Sequence, residues 1–233
     1  MNAGLRVVPD DDAGRREAAD ILRRGGLVAL PTDTVYGIAC NLATPDGIER
    51  LFAAKGRPPD RAIMLLLAGP SQAWRLGVET PAAALLAEAF WPGGMTLVLA
   101  RRADVVLPQV MTAGAPTVGL RVPDHACPRA IAAAIGPFPA TSANRSGEPE
   151  ARDAAAIVDV LGPAIDLVLD GGRATGGPPS TVVDCSAPVA RIIRAGAVDP
   201  SRIATALERA GIDHAIASPG DGGPPPERPI VGR

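Results

Sequence analysis

Three short clusters and one lone arginine in this chain offer residue types that handle anions. Lys55-Gly56-Arg57 holds two cations two residues apart, with two prolines and Arg61 close behind. Thr32-Asp33-Thr34 puts three polar groups in succession after an apolar run. In an extended backbone the Thr32 and Thr34 hydroxyls would face the same way. Pro137–Gly147, PFPATSANRSG, is short, polar and rich in hydroxyls, and its Ser, Asn and Gly residues offer side-chain and backbone donors to an anion. Arg121 stands alone between Leu120 and Val122; on a surface strand it points into water, and on a strand lining a cleft it points at a ligand. Hydroxyls at one end of the Leu27–Pro58 stretch and fixed positive charge at the other make half of a site.

Lys55 is the only lysine among 23 cationic side chains, and Tyr36, in the same stretch, is the only tyrosine. A lysine kept in an otherwise all-arginine chain suits a place that needs a compact, mobile ammonium. The blander alternatives stay open at this level. Lys55 also complements a helix C-terminus, and an ordinary turn capped by Ser and Asn accounts for Pro137–Gly147.

These groups need elements to carry them. The apolar run Leu27–Leu30 reads as a buried strand ended by Pro31. The next helix takes Thr44 as N-cap, Pro45 at its first position and Asp46 in its first turn. It buries Ile48, Leu51 and Phe52, stops at Gly56, and so delivers Lys55 and Arg57. Further helices are expected over Ala13–Arg24, from Thr80-Pro81 to Trp91, from Pro123-Asp124 to about Ile135, over Asp153–Leu161 and from Pro200 to about Ala210. Strands are expected at Ala62–Ala68, Met95–Ala100, Thr117–Val122, Ile165–Leu169, Thr181–Cys185 and Ala190–Arg194. The run GGRATGGPPS lacks a following Gly-Lys-Ser/Thr and leads into a strand, so it is neither a Walker loop nor a dinucleotide fingerprint. Alternating strands and helices make one α/β domain with a mixed sheet over residues 1–215. Residues 216–233 are Pro- and Gly-rich without an apolar face, and read as a disordered tail or linker stub.

Composition narrows the function classes. With 233 residues, 47% hydrophobic and 21% charged, the chain can bury a full core. A net charge of −2 and a pI near 5.7 argue against a broad footprint for nucleic acid or an anionic membrane. Aromatics at 3% leave few stacking platforms for single-stranded RNA. Cys40, Cys127 and Cys185 lack CxxC spacing and have only His125 and His214 for company, so they read as core thiols rather than zinc ligands. Asp10-Asp11-Asp12 ahead of any apolar run is wrong for a secretory signal, and no stretch reaches membrane-span length. A cytoplasmic location is expected.

PTDTVYG, KGRP, WPGGMTLVL, TVGLRVP, ATSANRSG, STVVD and IIRAGAV, in that order, resemble the YrdC-like domain of threonylcarbamoyl-AMP synthases over roughly Gly25 to Val198. The resemblance implies a twisted mixed α/β sheet with flanking helices around a concave, electropositive cavity. It implies a nucleotidyltransferase reaction in which L-threonine, bicarbonate and ATP, with Mg²⁺ spanning phosphate oxygens, give threonylcarbamoyl-AMP and pyrophosphate for tRNA modification. Lys55, Arg57, Ser142 and Asn144 match the family's K-x-R and S-x-N pairs, which mark the nucleotide site. Lys55 and Arg57 are then the catalytic cations, joined in ATP binding by Arg61, Thr117 and Arg194. Arg121, Thr34, Tyr36 and Thr141 are expected around the amino acid. No protein-held metal, covalent nucleophile or histidine base is required. Replacing Lys55 by alanine is expected to slow the chemistry and leave the fold intact. The partners implied are downstream tRNA threonylcarbamoyl-transfer proteins, with direct tRNA binding weak or absent.

The sequence departs from the family's pattern in two places. Leu66 stands where many relatives have a histidine, and Arg61 where others have asparagine or lysine. The chain resembles the short form of the family. Two other readings differ in what they require. A carbamoyl-adenylate-forming relative usually carries acylphosphatase or zinc-finger segments, and a non-catalytic RNA-binding module would bind RNA salt-sensitively without threonine-dependent ATP turnover.

Overall fold

The computed structural model describes residues 4–44, 46–174 and 177–216. The chain begins with β1 (Arg6–Pro9), and α1 (Asp12–Arg23) follows, opened by Asp11, whose carboxylate accepts from the Gly14 N–H at 2.8 Å. β2 (Val28–Leu30) and β3 (Gly37–Ala39) flank the Thr32–Thr34 turn, and α2 (Gly47–Lys55) ends at Gly56 in the left-handed conformation, φ 57°. Then come β4 (Met64–Leu66), α3 (Pro70–Ala73), α4 (Pro81–Phe90) capped by Thr80, and β5 (Met95–Ala100). α5 (Gln109–Thr112), β6 (Thr117–Arg121), α6 (Ala126–Ile135) and β7 (Phe138–Ser142) complete the middle of the chain. The last third holds α7 (Ala154–Leu161), a 3-10 turn at Gly162–Ala164, β8 (Leu167–Asp170), β9 (Thr181–Asp184), β10 (Ala190–Arg194), α8 (Pro200–Arg209) and β11 (His214–Ile216).

All these strands join one mixed sheet in the order β1-β8-β2-β3-β7-β4-β6-β5-β9-β10-β11. Strand periodicity divides its residues between two cores. Val28 and Leu30 of β2, with Leu167 and Leu169 of β8, pack with Ala18 and Leu22 of α1 and Ile131 of α6. Their neighbours Ala29 and Val168 belong to the larger core, with Leu65, Leu97, Val118 and Leu120. Each strand in this region is covered on both faces, which accounts for runs that are apolar throughout rather than alternating.

The expected mixed α/β fold is present, with local corrections. Thr44 is not the N-cap of α2: its hydroxyl donates to the Asn41 carbonyl at 3.0 Å, and the helix starts at Gly47 behind Asp46, which makes no side-chain cap bond. Pro45 lies outside the described residues. α6 starts at Ala126, not at Pro123-Asp124, because the His125 ring accepts from the Cys127 N–H at 3.2 Å and takes the cap. The first half of Pro137–Gly147 is no loop: β7 runs through it, paired antiparallel with β3 on one side and β4 on the other. β11 carries the sheet to Ile216, one residue beyond the expected end of the domain. The tail from 217 onwards and Thr175-Gly176 of GGRATGGPPS lie outside the described residues.

Candidate active site

A cavity of about 400 Å³ opens over the middle of the sheet, and period-2 spacing builds its floor. Thr117, Gly119 and Arg121 of β6 line it, as do Thr96 and Val98 of β5 and Met64 and Leu66 of β4. Thr141 and Ser142 of β7 close one side, and Ser180, Val182 and Arg194 the other. On β5 and β6 the intervening residues Leu97 and Leu120 belong to the larger core, as does Val118, which also borders the cavity. The same alternation that seals the core therefore aims hydroxyls and one guanidinium at the cavity.

Three arginines face this space, each fixed by backbone or side-chain oxygens. Arg57, just beyond the Gly56 stop, donates from Nε to the Arg61 carbonyl at 3.0 Å and from Nη2 to Ala62 at 2.7 Å. Its guanidinium lies 5.9 Å from the Phe52 ring centroid. Arg121 is 4% exposed and spends three of its donors: on Gly93 O at 3.1 Å, Thr34 Oγ1 at 3.1 Å and Asp33 Oδ1 at 2.7 Å. Two of its five N–H groups remain. Arg194 is clamped by Ser180, with bonds of 3.2 and 2.8 Å to the carbonyl and 3.2 Å to the hydroxyl. Ser180 Oγ in turn pairs with Thr96 Oγ1 at 2.8 Å.

Burial lowers the pKa of all three guanidiniums, and like charge adds to it: Arg61 and Arg194 act on Arg57, and Arg121 acts on Arg194. For Arg121 the Asp33 carboxylate works in the opposite sense. Desolvated cations that repel one another across a common space are relieved by an anion entering between them. Three arginines over a hydroxyl-lined floor suit an anion.

The other expected site residues are placed differently. Lys55 is 3% exposed and does not line the cavity. Its ammonium donates to Ser142 O, to Asn144 O at 2.6 Å and to Asn144 Oδ1 at 2.9 Å, which occupies all three protons. Asn144 is also interior, accepting from Ser142 Oγ at 2.7 Å and donating to Glu148 O at 2.6 Å. The S-x-N turn is thus tied onto the end of α2, and Ser142 alone of the pair reaches the cavity. The Arg61 side chain is exposed and away from the lining, and only its carbonyl serves the site, through Arg57. Tyr36 borders the cavity but its hydroxyl is committed, donating to Gly172 O at 2.6 Å and accepting from Gly171 N at 3.0 Å. Thr34 meets Thr32 as the spacing suggested, hydroxyl to hydroxyl at 3.2 Å, although the backbone between them bends.

Four residues escaped sequence reasoning. Asp33 partners Arg121 and Ser180 holds Arg194, both from inside motifs already singled out, where polar residues bordering apolar runs were the available signal. Thr96, a hydroxyl within a strand-like run, carried the same signal. Glu150 lines the cavity and had none, being one of 25 acidic residues.

Comparison with known proteins gives concordant findings. A family model described as Sua5_yciO_yrdC, telomere recombination, matches residues 20–196. The threonylcarbamoyl-AMP synthase of Bacillus subtilis (strain 168) is 35% identical over 203 residues, a match covering 86% of this chain and 58% of that protein. That of Pyrococcus abyssi is 40% identical over 171 residues, covering 72% and 50%. The chain therefore spans about half the length of these relatives. The crystal structure of P. abyssi Sua5 complexed with L-threonine superposes with a TM-score of 0.80 at 33% identity, over 91% of this chain and 62% of that one.

Proposed function

The chain belongs to the Sua5/YciO/YrdC family, and from that premise we propose that it condenses L-threonine, bicarbonate and ATP into threonylcarbamoyl-AMP, with release of pyrophosphate. It would act as a nucleotidyltransferase whose product feeds tRNA threonylcarbamoyl-transfer proteins in the cytoplasm. The observation that carries the reading is one cavity lined together by Arg57, Arg194 and Arg121 with the hydroxyls of Thr34, Thr117, Ser142 and Ser180. Among the described residues no helix is long and apolar enough to cross a membrane.

The chemistry asks for what this cavity has. The threonine amine and bicarbonate give an N-carboxylate and water. A carboxylate oxygen then attacks the α-phosphorus of ATP, and the bond to the β-phosphate oxygen breaks, releasing pyrophosphate. Nucleophile and nucleotide are both anionic, so positioning and charge neutralisation dominate. Arg57, steadied by the Arg61 carbonyl, and Arg194 would grip the triphosphate, with Thr117 and Ser142 orienting the nucleotide. Lys55 and Asn144 would act by holding the turn that presents Ser142. The two remaining N–H groups of Arg121 suit the threonine carboxylate as a fork, with Thr34 and Thr141 beside it and Tyr36 packed behind. Mg²⁺ would arrive with ATP and neutralise charge on its phosphates. Among the described residues no three His, Cys, Asp or Glu side chains gather to hold a metal. A carboxylate-and-hydroxyl wall nonetheless suits a hard cation carried mainly by phosphate oxygens and water.

Pyrophosphate release with ATP and bicarbonate, measured with and without L-threonine, tests the proposal, with mass detection of the adenylate. Threonine-dependent release with the threonylcarbamoyl-AMP mass is expected. Release with carbamoyl phosphate in place of threonine, or no release from folded protein, would overturn it.

A further inference from the structure

The cavity that collects cations also carries one carboxylate in its lining. Glu150, on the segment between β7 and α7, is half-buried and shares the wall with Arg57, Ser142, Ser180 and Arg194. Its charge is felt by both Lys55 and Arg194, as one of the few influences that raise their pKa values. Yet among the described residues no cation comes within the 4.0 Å of an ion pair, and no donor bonds its carboxylate. Asp33, an acidic group beside the cavity, is by contrast locked to Arg121 at 2.7 Å.

An unpaired carboxylate is out of place in a pocket for polyanions. Opposite a triphosphate it repels the ligand, unless a cation stands between the two. Mg²⁺ is commonly held in that way, by one or two protein carboxylates together with substrate phosphates, keeping several waters and needing no all-protein cage. The absence of a three-ligand cluster among the described residues fits this mode of holding a cation.

Building on the reading of the cavity as a nucleotide site, we propose that Glu150 is the protein's own oxygen ligand, direct or through water, for the divalent cation that arrives with ATP. The cavity then selects the cation–nucleotide complex over free nucleotide. Arg57 and Arg194 hold the phosphates, and Glu150 makes that hold conditional on the cation.

Calorimetric titration of ATP, without threonine or bicarbonate, tests this in wild type, Glu150→Gln and Glu150→Lys, each with Mg²⁺ and with EDTA. Mg²⁺ should tighten wild-type binding by about tenfold, Glu150→Gln should cut that gain to about twofold, and Glu150→Lys should abolish it. Most of the change should come from better binding of free ATP. An equal Mg²⁺ gain in all three proteins, or equal weakening of both ATP forms in Glu150→Gln, would overturn the role of Glu150. Failure of wild type to bind ATP in either form would instead remove the nucleotide reading on which the role rests.

Discussion

Lys55, the chain's one lysine, turns its ammonium into the protein, where it bridges the end of α2 to the Ser142–Asn144 turn. Burial, and secondarily Arg57, push it down to about 8 from an ordinary 10.5, while the Glu150 carboxylate works in the opposite sense. The folded value lies below the unfolded one. The charged ammonium therefore burdens the folded state below about pH 8, and the burden fades as the pH rises towards 10.5. Lys55→Met removes the charge and orphans the acceptors, at a cost of about 1–3 kcal/mol. Denaturant melts should show the variant destabilised at neutral pH, with the gap to wild type widening in favour of wild type between pH 8 and 10. A gap that does not move with pH contradicts this account. Replacing Lys55 was expected to leave the fold intact, and these bonds predict a cost in stability on top of any effect on turnover. The sequence singled out Lys55 through its rarity, but rarity has no direction, and nothing in K-G-R says whether the ammonium faces ligand or backbone.

Among the elements, β9 and β10 carry the wall that the floor strands need, and one glycine sets their spacing. A Cβ on Gly196 would lie 2.1 Å from Pro179 O and 2.6 Å from the Ser180 carbonyl carbon. Gly196→Ala must push the 194–198 segment off Ser180 and misplace Arg194. Turnover should fall by about 10²-fold, the scale of a 1 Å misplacement, with little change in secondary structure. Wild-type turnover would show that this close approach does not matter to the site. Most longer elements were legible in the sequence: β5 and β10 match their expected bounds, and α1, α4, α7 and α8 fall within a residue or so. The missed strands of the site share one cause. β7 holds Pro139, Thr141 and Ser142, which read locally as a turn, and β3 is only three residues long, Gly37-Ile38-Ala39. Both are strands because neighbours distant in sequence pair with them, Pro139 against Leu65 and Gly37 against Ser142. Ser180, Thr96 and Glu150 were obscure for the same reason: only the β5–β9 pairing and the path out of β7 bring them to one cavity.

Across the whole molecule the three thiols report on global integrity. Cys40, Cys127 and Cys185 are free and buried, and burial pushes Cys40 and Cys185 up to about 12, with Cys127 raised as well. With almost no thiolate present, iodoacetamide at pH 8 should leave the native protein unlabelled and modify all three once denaturant unfolds it. Rapid labelling of the native protein would mean that the cores open locally. The order of the sheet reaches further. β1 pairs Arg6 with Leu167, and β5 pairs Met95 with Thr181, so strands made early wait for partners made late. A chain growing from its N-terminus past Asn144 already holds Arg57, Arg121 and Ser142, but has no wall opposite them and carries open edges at β2 and β5. Only when Arg194 has emerged can the pocket close. The molecule is thus silent until almost all of its fold has been synthesised, and the nascent chain depends on shielding of those two edges for as long as it waits.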